Sequence, residues 1–377
     1  MSSFPHLRAA FKQNFTHAGE LGAAISLWEN GHESIHLCHG AARVDRSREG
    51  LQTTQAWEED SLVPIFSATK VASASCFLHA LFQTGQSIDL PIGELWPRFP
   101  MPHATVAQLL SHQIGLAALA RPASIFDLDD CQAAIEATSP AWLPPQHGYH
   151  PHTFGPILDI LMRELWGGRI HEFWDEELRA QSDEALDFYI GLPESEFGRV
   201  AQLQAPRLQS GMPQDDFYRA YFTEASLQHR AFRSVIGLDS PRAINSPAGL
   251  GCACPAKGGV ASARGLARFY QNLMGWVNGG RYSDAVLDSL SRPQCCGYDE
   301  ILMQETSFSC GAMLEPKELF TLKGFSGFGH AGAGGCHAFC IPQLGLSFAY
   351  VMNQMDFGVL PSTKLRRLLT ALEQDLA

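Results

Sequence analysis

Several common signatures of function are missing from this 377-residue chain. It has no G-x-x-x-x-G-K-[ST] phosphate-binding loop, no pair of C-x-x-C motifs and no G-x-S-x-G nucleophile elbow. No apolar run approaches the roughly 18 residues that a membrane-spanning helix requires. These absences exclude a P-loop nucleotide site, a paired-cysteine zinc site and the α/β-hydrolase architecture, and we expect no membrane partner.

The chain is also poor in basic residues. It has 27 Lys and Arg residues against 39 Asp and Glu residues, which gives a formal net charge of −12. Because nucleic acids are bound by clustered Lys and Arg, this composition argues against a nucleic-acid partner. Residues 1–15 contain charged and polar positions and no apolar segment of the signal-peptide type. We therefore expect a soluble, cytoplasmic protein, and the sequence leaves open whether it forms a homo-oligomer.

Cysteine is present, but its spacing does not indicate a structural role. The ten cysteines include a C-x-C pair at Cys252 and Cys254 and a C-C pair at Cys295 and Cys296. Without an export signal, free thiols are the default state, and cysteine among apolar neighbours behaves as a small hydrophobe. We predict free, mostly buried thiols; the alternative is a metal site that includes Cys252 and Cys254.

One segment imitates a metalloprotease motif. Residues 32–36 fit H-E-x-x-H, which requires both histidines on one face of a helix. The segment follows Asn30-Gly31, however, and this dipeptide is a strong hairpin-turn signal. On a strand, His32 and His36 would stand roughly 13 Å apart, too far to share one zinc ion. We therefore predict no metal site here.

Periodicity and breakers indicate an α/β (α+β) fold in one catalytic domain spanning residues 1–377. We predict helices at 4–18, 67–83 and 364–376, a hairpin at 21–42, and strands at 308–314, 319–322, 335–341 and 346–352. Strands at both chain ends favour one antiparallel sheet flanked by the terminal helices, with a mostly helical insertion. We place the sheet subdomain at 1–80 plus 256–377 and the helical subdomain at 81–255. A ligand is expected in the cleft between them.

The first chemical signal is the tetrad Ser67-Ala68-Thr69-Lys70 at the start of an apolar helix. Residues three apart share a helix face, so Ser67 and Lys70 can touch. A serine hydroxyl needs a neighbour to take its proton, and a desolvated lysine can serve as that base. S-x-x-K also occurs by chance, and a surface Ser and Lys on an ordinary helix is the alternative interpretation.

A second signal is Tyr149, in the Gly- and Pro-rich loop 144–155. Beside a lysine ammonium its phenolate would be favoured, and it could then take the serine proton. The alternative is a half-buried loop tyrosine whose hydroxyl is satisfied. The neighbouring His147, His150 and His152 are more consistent with a polar loop than with a metal site.

The third signal is the glycine-rich stretch 327–335, immediately before a predicted strand. Glycine lets backbone approach a ligand closely, and an edge strand there could direct an N–H towards a developing oxyanion. His330 could also donate a hydrogen bond to the substrate. A simple turn between strands explains the stretch equally well.

Taken together, Ser67-x-x-Lys70, Tyr149 and the element His330-Ala331-Gly332, in this order, resemble the serine β-lactamase-like hydrolases, in particular the class C β-lactamase and family VIII carboxylesterase branch. The resemblance covers nearly the whole chain and implies a β-lactamase/transpeptidase-like fold. Further segments in register lie at 62–66, 109–116, 148–155, 190–193, 263–270 and 329–332.

The resemblance implies an acyl-enzyme mechanism without a metal or organic cofactor. Ser67 would be the nucleophile, and Lys70 and Tyr149 the coupled base and acid. The backbone N–H groups of Ser67 and Ala333 would form the oxyanion hole, with His330, Ala331 and Gly332 beside the substrate.

Two departures from the β-lactamase pattern bear on the substrate. Pro151 occupies the third position of the Y-x-N motif and has no side-chain donor. His330-Ala331-Gly332 replaces K-T-G, so the lysine that attracts the β-lactam carboxylate is missing. We therefore expect a small-molecule partner that is a neutral ester or amide, and a serine carboxylesterase acting on small or medium acyl esters. The alternatives are an acyltransferase, a D-amino-acid peptidase, a weak β-lactamase, or a catalytically silent binding or assembly protein on this fold.

Overall fold

The computed structural model describes residues 4–47, 50–179, 186–207, 215–277, 281–314, 317–358 and 362–377. The helices are α1 Pro5–His17, α2 Thr69–Gln83, α3 Ile92–Leu95, α4 Val106–Leu110, α5 Leu128–Glu136, α6 Phe154–Trp166, α7 Ile170–Phe173, α8 Asp216–Tyr221, α9 Leu227–Arg233, α10 Pro241–Ile244, α11 Pro247–Leu250, α12 Ala263–Leu273, α13 Asp284–Ser291, α14 Lys317–Phe320 and α15 Thr363–Leu376. Short 3₁₀ segments cover Phe66–Ala68, Glu194–Arg199 and Pro342–Leu344, and a π-helical turn covers Trp174–Arg179.

The strands are β1 Gly22–Glu29, β2 His32–Ser47, β3 Gly50–Ala56, β4 Val63–Pro64, β5 Ala123–Ser124, β6 Phe188–Ile190, β7 Val235–Ile236, β8 Gly259–Ala261, β9 Cys295–Tyr298, β10 Glu305–Phe308, β11 Thr321–Leu322, β12 Phe325–Ser326, β13 Phe328–Ala331, β14 His337–Ile341 and β15 Leu346–Met352.

The main sheet is antiparallel and contains strands from both ends of the chain, as predicted. Its order is β13-β14-β15-β1-β2-β3 in the described part of the chain. β1 joins the two ends, because it pairs with β2 on one side and with β15 on the other, with Ile25 opposite both Leu37 and Tyr350. The turn between β1 and β2 uses Asn30 at φ 50° and Gly31 at φ 84°, the left-handed conformations that an Asn-Gly hairpin turn requires. The fold class predicted from the sequence is therefore confirmed.

The central strands of the sheet are buried on both faces. Every residue of β15 is buried, which a strand achieves only when both of its faces are covered. α12 packs against β1, β14 and β15, while the terminal helices α1 and α15 pack against each other. Their contact is fixed where the backbone N–H of Leu7 donates to the Asp375 carboxylate at 2.8 Å.

A smaller sheet positions the start of α2. β8 lies between β4 and β6, and the Ile65 N–H donates to the Gly259 carbonyl at 2.9 Å. α2 itself is apolar nearly all round and almost wholly buried, as expected for a helix in the centre of a domain. Its first turn is therefore held from several sides. The division into subdomains at 1–80 plus 256–377 and 81–255 stays a prediction.

Some predicted elements differ from those observed. Of the strand predicted at 308–314, only Phe308 belongs to a strand, as the last residue of β10. The chain then turns at Gly311, whose φ is 102°. The segment predicted as a strand at 319–322 begins as the end of α14, and only Thr321–Leu322 is extended. β2 continues beyond the predicted end of the hairpin at 42 and pairs with β3, which the sequence analysis missed.

The H-E-x-x-H segment lies on β2, as predicted. Glu33 accepts a hydrogen bond from Arg264 at 2.9 Å, so this carboxylate belongs to an ion pair. All ten cysteines are free, and most are buried. Within the described ranges, no cluster of three or more His, Cys, Asp or Glu side chains is arranged to hold a metal ion, and no described helix is long and apolar enough to cross a membrane.

Candidate active site

Ser67 lies in the 3₁₀ turn that leads into α2. The residue before it, Phe66, has φ 50°, a left-handed conformation that is uncommon for a residue with a side chain. Thr69 fixes the turn from inside: its hydroxyl accepts the Gly259 N–H at 2.9 Å and donates to the Phe66 carbonyl at 2.5 Å. The small sheet therefore holds this strained turn and presents Ser67 at a cavity.

Lys70 lies one turn further along α2, on the same face as Ser67. Its Nζ is 3.3 Å from Ser67 Oγ and donates to the carbonyls of Pro151 and Ala256, both at 3.0 Å. The side chain is fully buried, and its amine forms no ion pair with any described carboxylate. Burial, with no carboxylate to offset it, lowers the pKa of Lys70 to about 7. The amine can therefore lose its proton near neutral pH.

Tyr149 contacts the same hydroxyl. Its phenol donates to Ser67 Oγ at 2.6 Å, while Lys70 Nζ stands 4.9 Å from the centre of its ring. The lysine was expected to favour the phenolate, but burial instead raises the pKa of Tyr149 well above its ordinary value. Desolvation of the phenolate is the largest cause of this rise in pKa, and the negative charge of Asp299 acts in the same direction. Tyr149 is therefore a protonated hydrogen-bond donor in the resting site.

Asp299 holds the backbone of Tyr149. Its carboxylate accepts the Tyr149 N–H at 3.0 Å and the N–H groups of Ile301 and Leu302 at 2.8 Å each. The hydroxyl of Thr306 donates to the same carboxylate at 3.1 Å. A buried carboxylate with this many donors is satisfied without a cation, so Asp299 acts as a fixed anchor for the tyrosine loop.

The three histidines of the tyrosine loop face different partners. His147 Nε2 lies 2.9 Å from the Thr306 hydroxyl. His150 donates through Nδ1 to the Gly148 carbonyl at 2.8 Å and accepts the Leu116 N–H at 3.0 Å. His152 Nε2 lies 3.3 Å from Lys257 Nζ. The three imidazoles therefore have separate partners, and the interpretation of the segment as a polar loop stays a prediction.

His330 also lines the cavity, but as an acceptor. Its Nδ1 lies 2.7 Å from the Ala331 carbonyl, which can only accept, so Nδ1 carries the proton. Burial lowers the pKa of His330 to about 3, and the ring is therefore neutral with an unprotonated Nε2. The expectation that His330 donates to the substrate is thus corrected: Nδ1–H is engaged with Ala331, and Nε2 has only a lone pair to offer.

The glycine-rich stretch forms the edge of the sheet and the turn after it. The strand predicted at 335–341 is β14, His337–Ile341, and the stretch itself contains a further strand, β13 Phe328–Ala331, which the sequence analysis missed. A Cβ at Gly332 would lie 2.3 Å from the Ile65 carbonyl oxygen, so only glycine allows this turn to approach the segment that carries Ser67.

The structure separates the predicted oxyanion residues into two groups. Ser67, His330 and Ala333 line the cavity, whereas Ala331 and Gly332 do not. Ala331 is engaged in the β13–β14 pairing, and the Gly332 N–H donates to the Cys336 carbonyl at 2.7 Å. The N–H groups of Ser67 and Ala333 donate to no other backbone group in the described ranges, so both are available to a ligand.

The cavity at Ser67 has a volume of about 370 Å³, which suits a small organic molecule. Its outer wall is an aromatic cluster contributed mainly by α8 and α9: Phe217, Tyr218, Tyr221, Phe222 and Phe232. The wall comes from the segment 191–255, in which the sequence showed little regular pattern. The cavity therefore combines the polar groups around Ser67 with an aromatic, apolar wall.

Two residues of the site were missed by the sequence analysis. Asp299 is 150 positions from Tyr149, and Lys257 stands beside the cavity after a segment with no motif of its own. Only tertiary folding brings them to the site. The nearest signal was the polar character of each within an otherwise apolar neighbourhood.

Comparisons with known proteins identify the family and the fold of the chain. The protein-family model described as Beta-lactamase matches residues 7–372. The chain is 32% identical over 357 residues to "Esterase/beta-lactamase LipL" of Mycobacterium tuberculosis, a match that covers 89% of this chain and 77% of the relative.

Solved structures of similar proteins share the fold of this chain. A family VIII carboxylesterase superposes with a TM-score of 0.83 at 27% identity, covering 99% of this chain and 97% of that one. A penicillin-binding protein homologue from Caulobacter crescentus superposes with a TM-score of 0.80 at 28% identity, again over 99% of this chain and 97% of the other.

Proposed function

This chain belongs to the Beta-lactamase family, and we propose that within this family it is a serine hydrolase that cleaves small or medium carboxylic esters through an acyl-enzyme. One observation carries the proposal: Ser67 Oγ lies 2.6 Å from the Tyr149 hydroxyl and 3.3 Å from Lys70 Nζ. A serine hydroxyl that contacts both an amine of lowered pKa and a protonated phenol is arranged as an activated nucleophile.

Lys70 acts as the general base. A neutral amine has two N–H donors, and the carbonyls of Pro151 and Ala256 accept both. The lone pair is left facing Ser67 Oγ, from which it can take the proton. The Ser67 oxygen then attacks the ester carbonyl carbon.

Tyr149 acts as the acid. Its proton passes to the departing alcohol oxygen as the carbon–oxygen bond breaks, which leaves an ammonium at Lys70 and a phenolate at Tyr149. In deacylation a water gives its proton to the Tyr149 phenolate and attacks the acyl carbon. The bond between that carbon and Ser67 Oγ then breaks, Lys70 returns a proton to Ser67 Oγ, and the carboxylic acid is released. The N–H groups of Ser67 and Ala333 would stabilise the oxyanion in both steps.

Esters are favoured over β-lactams by the residues around the nucleophile. The position of the K-T-G lysine is held by His330, whose ring is neutral because burial lowers its pKa to about 3. Pro151 offers only its carbonyl, and Lys70 already uses it. The aromatic cluster provides an apolar surface for an acyl or alcohol group. The names of two relatives, one an esterase/beta-lactamase and one a family VIII carboxylesterase, support the same reaction class.

The test is active-site labelling together with turnover. We expect a fluorophosphonate to add its mass to Ser67 of the wild-type protein, and we expect p-nitrophenyl butyrate to be hydrolysed. Both should disappear in Ser67→Ala. An unlabelled serine, with no turnover above the background rate in either protein, would reject the proposal and favour a silent binding protein. Nitrocefin is the second arm: hydrolysis as fast as that of the butyrate ester would reject the preference for esters.

A further inference from the structure

A second buried lysine, Lys257, lines the catalytic cavity and has no part in the mechanism above. It is 9% exposed and follows Ala256, whose carbonyl accepts a hydrogen bond from Lys70. Its Nζ lies 3.3 Å from His152 Nε2 and 3.5 Å from the Leu238 carbonyl oxygen. Lys257 therefore lies at the wall of the cavity that holds Ser67.

The polar contacts of Lys257 are incomplete. An ammonium has three donors, and two of them are directed at His152 and Leu238. Its amine forms no ion pair with a carboxylate of the described ranges. Burying an amine without a counter-ion is costly, and burial lowers the pKa of Lys257 accordingly. Such a group gains most from a ligand that brings a negative charge.

Other charged groups on the cavity wall do not supply that counter-ion. Asp356 is engaged by Lys364 at 3.2 Å. Asp239 acts on Lys257 from beyond ion-pair distance, and its exposed carboxylate accepts the Gly237 N–H at 3.0 Å. Arg233, at the mouth, adds a second positive charge. A carboxylate that entered the cavity would be the first anion in contact with Lys257.

We propose that Lys257 forms a carboxylate subsite, so that the preferred esters carry a carboxylate on their acyl or alcohol part. The inference rests on the proposed esterase function and deepens it. It also revises the expectation of a neutral substrate, which was based on Pro151 and on the missing K-T-G lysine at β13. Lys257 comes from the segment before β8, and not from β13, and it can pair with a carboxylate of the ligand by a charge-assisted hydrogen bond.

Matched esters test the subsite. The acyl-side pair is p-nitrophenyl hexanoate and the mono-p-nitrophenyl ester of adipic acid, in which a carboxylate replaces the terminal methyl group. The alcohol-side pair is phenyl butyrate and 3-carboxyphenyl butyrate. For each pair, the ratio of kcat/KM for the charged ester to that for the neutral ester is measured in the wild type, in Lys257→Met and in the control Lys12→Met, which removes an exposed lysine of α1.

We expect a wild-type ratio of at least one for one of the two pairs. In Lys257→Met this ratio should fall at least tenfold, mainly through KM, and in Lys12→Met it should stay within twofold. A wild-type ratio below one-tenth for both pairs overturns the subsite, even if Lys257→Met fails to fold, and so does an unchanged ratio in a folded Lys257→Met. If no ester is hydrolysed and Ser67 is not labelled, it is the esterase function itself that fails.

Discussion

Two buried lysines of this protein lie in opposite chemical surroundings. Lys70 is 0% exposed and Lys364 is 2% exposed. The amine of Lys364, on α15, lies 3.3 Å from Glu20 Oε1 and 3.2 Å from Asp356 Oδ2. The amine of Lys70 meets only neutral oxygens: two carbonyls and the Ser67 hydroxyl. The two sites bury the same group and differ in whether they supply a counter-charge.

The presence or absence of carboxylate partners separates a structural lysine, Lys364, from a candidate general base, Lys70. At Lys364 the two carboxylates neutralise the ammonium charge, and Tyr350 donates a further hydrogen bond to Glu20. At Lys70 no carboxylate compensates for the loss of water, and the pKa falls to about 7. A buried lysine is therefore a stabilising link where acid surrounds it and a candidate base where only neutral acceptors do.

The two sites are also connected through the backbone. Asp356, held by Lys364, donates its N–H to the Gly334 carbonyl at 2.8 Å, and Gly334 follows the oxyanion candidate Ala333. The charged cluster thus supports the loop on which the neutral site depends. The comparison predicts that removing either lysine damages the protein in a different way.

Lys70→Met should produce the largest effect, a loss of activity. Without the base, kcat/KM for p-nitrophenyl butyrate should fall about a thousandfold. The free energy of unfolding should change by less than about 2 kcal/mol, because two carbonyls lose a donor while the cost of burying an amine disappears. Ester hydrolysis and urea unfolding measure the two quantities. Activity within tenfold of the wild type would show that Lys70 is not the base.

Lys364→Met should show the reverse pattern. Removing one partner of a buried ion pair leaves the carboxylate of Glu20 unpaired, and we expect the free energy of unfolding to fall by about 3 kcal/mol. At a temperature where the variant is folded, its kcat should stay within about fivefold of the wild type.

The matched control is the double variant Glu20→Gln with Lys364→Met, which removes the two fully buried charges and leaves the half-buried Asp356. It should recover at least half of the lost stability, because no fully buried charge remains unpaired. A double variant as unstable as the single one would mean that packing, and not charge, sets the value of this cluster.

The contact between Ser67 and Lys70 could be predicted from the sequence, whereas the ion pair between Glu20 and Lys364 could not, and the reason is physical. Ser67 and Lys70 meet through helix periodicity, which is local and visible as a spacing. Glu20 and Lys364 lie 344 positions apart and meet only because the two chain ends form one sheet with packed terminal helices. The same limit hid Asp299 and Lys257, whose partners are also distant in the chain.

Elements of the fold with a clear local sequence pattern could also be predicted, and those without one could not. The hairpin at Asn30-Gly31 and the strand Leu346–Met352 have clear local patterns, and both were found. β3 was missed because residues 50–56 are mostly polar, so that strand lacks the alternation of a half-buried one. The raised pKa of Tyr149 could not be predicted either, since burial of the phenol depends on the complete site.

The smallest expected effect is a shift in the pH dependence of kcat/KM. Because Lys70 must be neutral to act, kcat/KM for p-nitrophenyl hexanoate should rise with pH through a midpoint near the pKa of Lys70, about 7, and then level off. Repulsion from Lys257 helps to lower that pKa. Lys257→Met should therefore move the midpoint to higher pH, whereas Lys364→Met should leave it within experimental error. If Lys364→Met moved the midpoint as far as Lys257→Met, the two lysine environments would be electrostatically linked, and the separation drawn between them would fail.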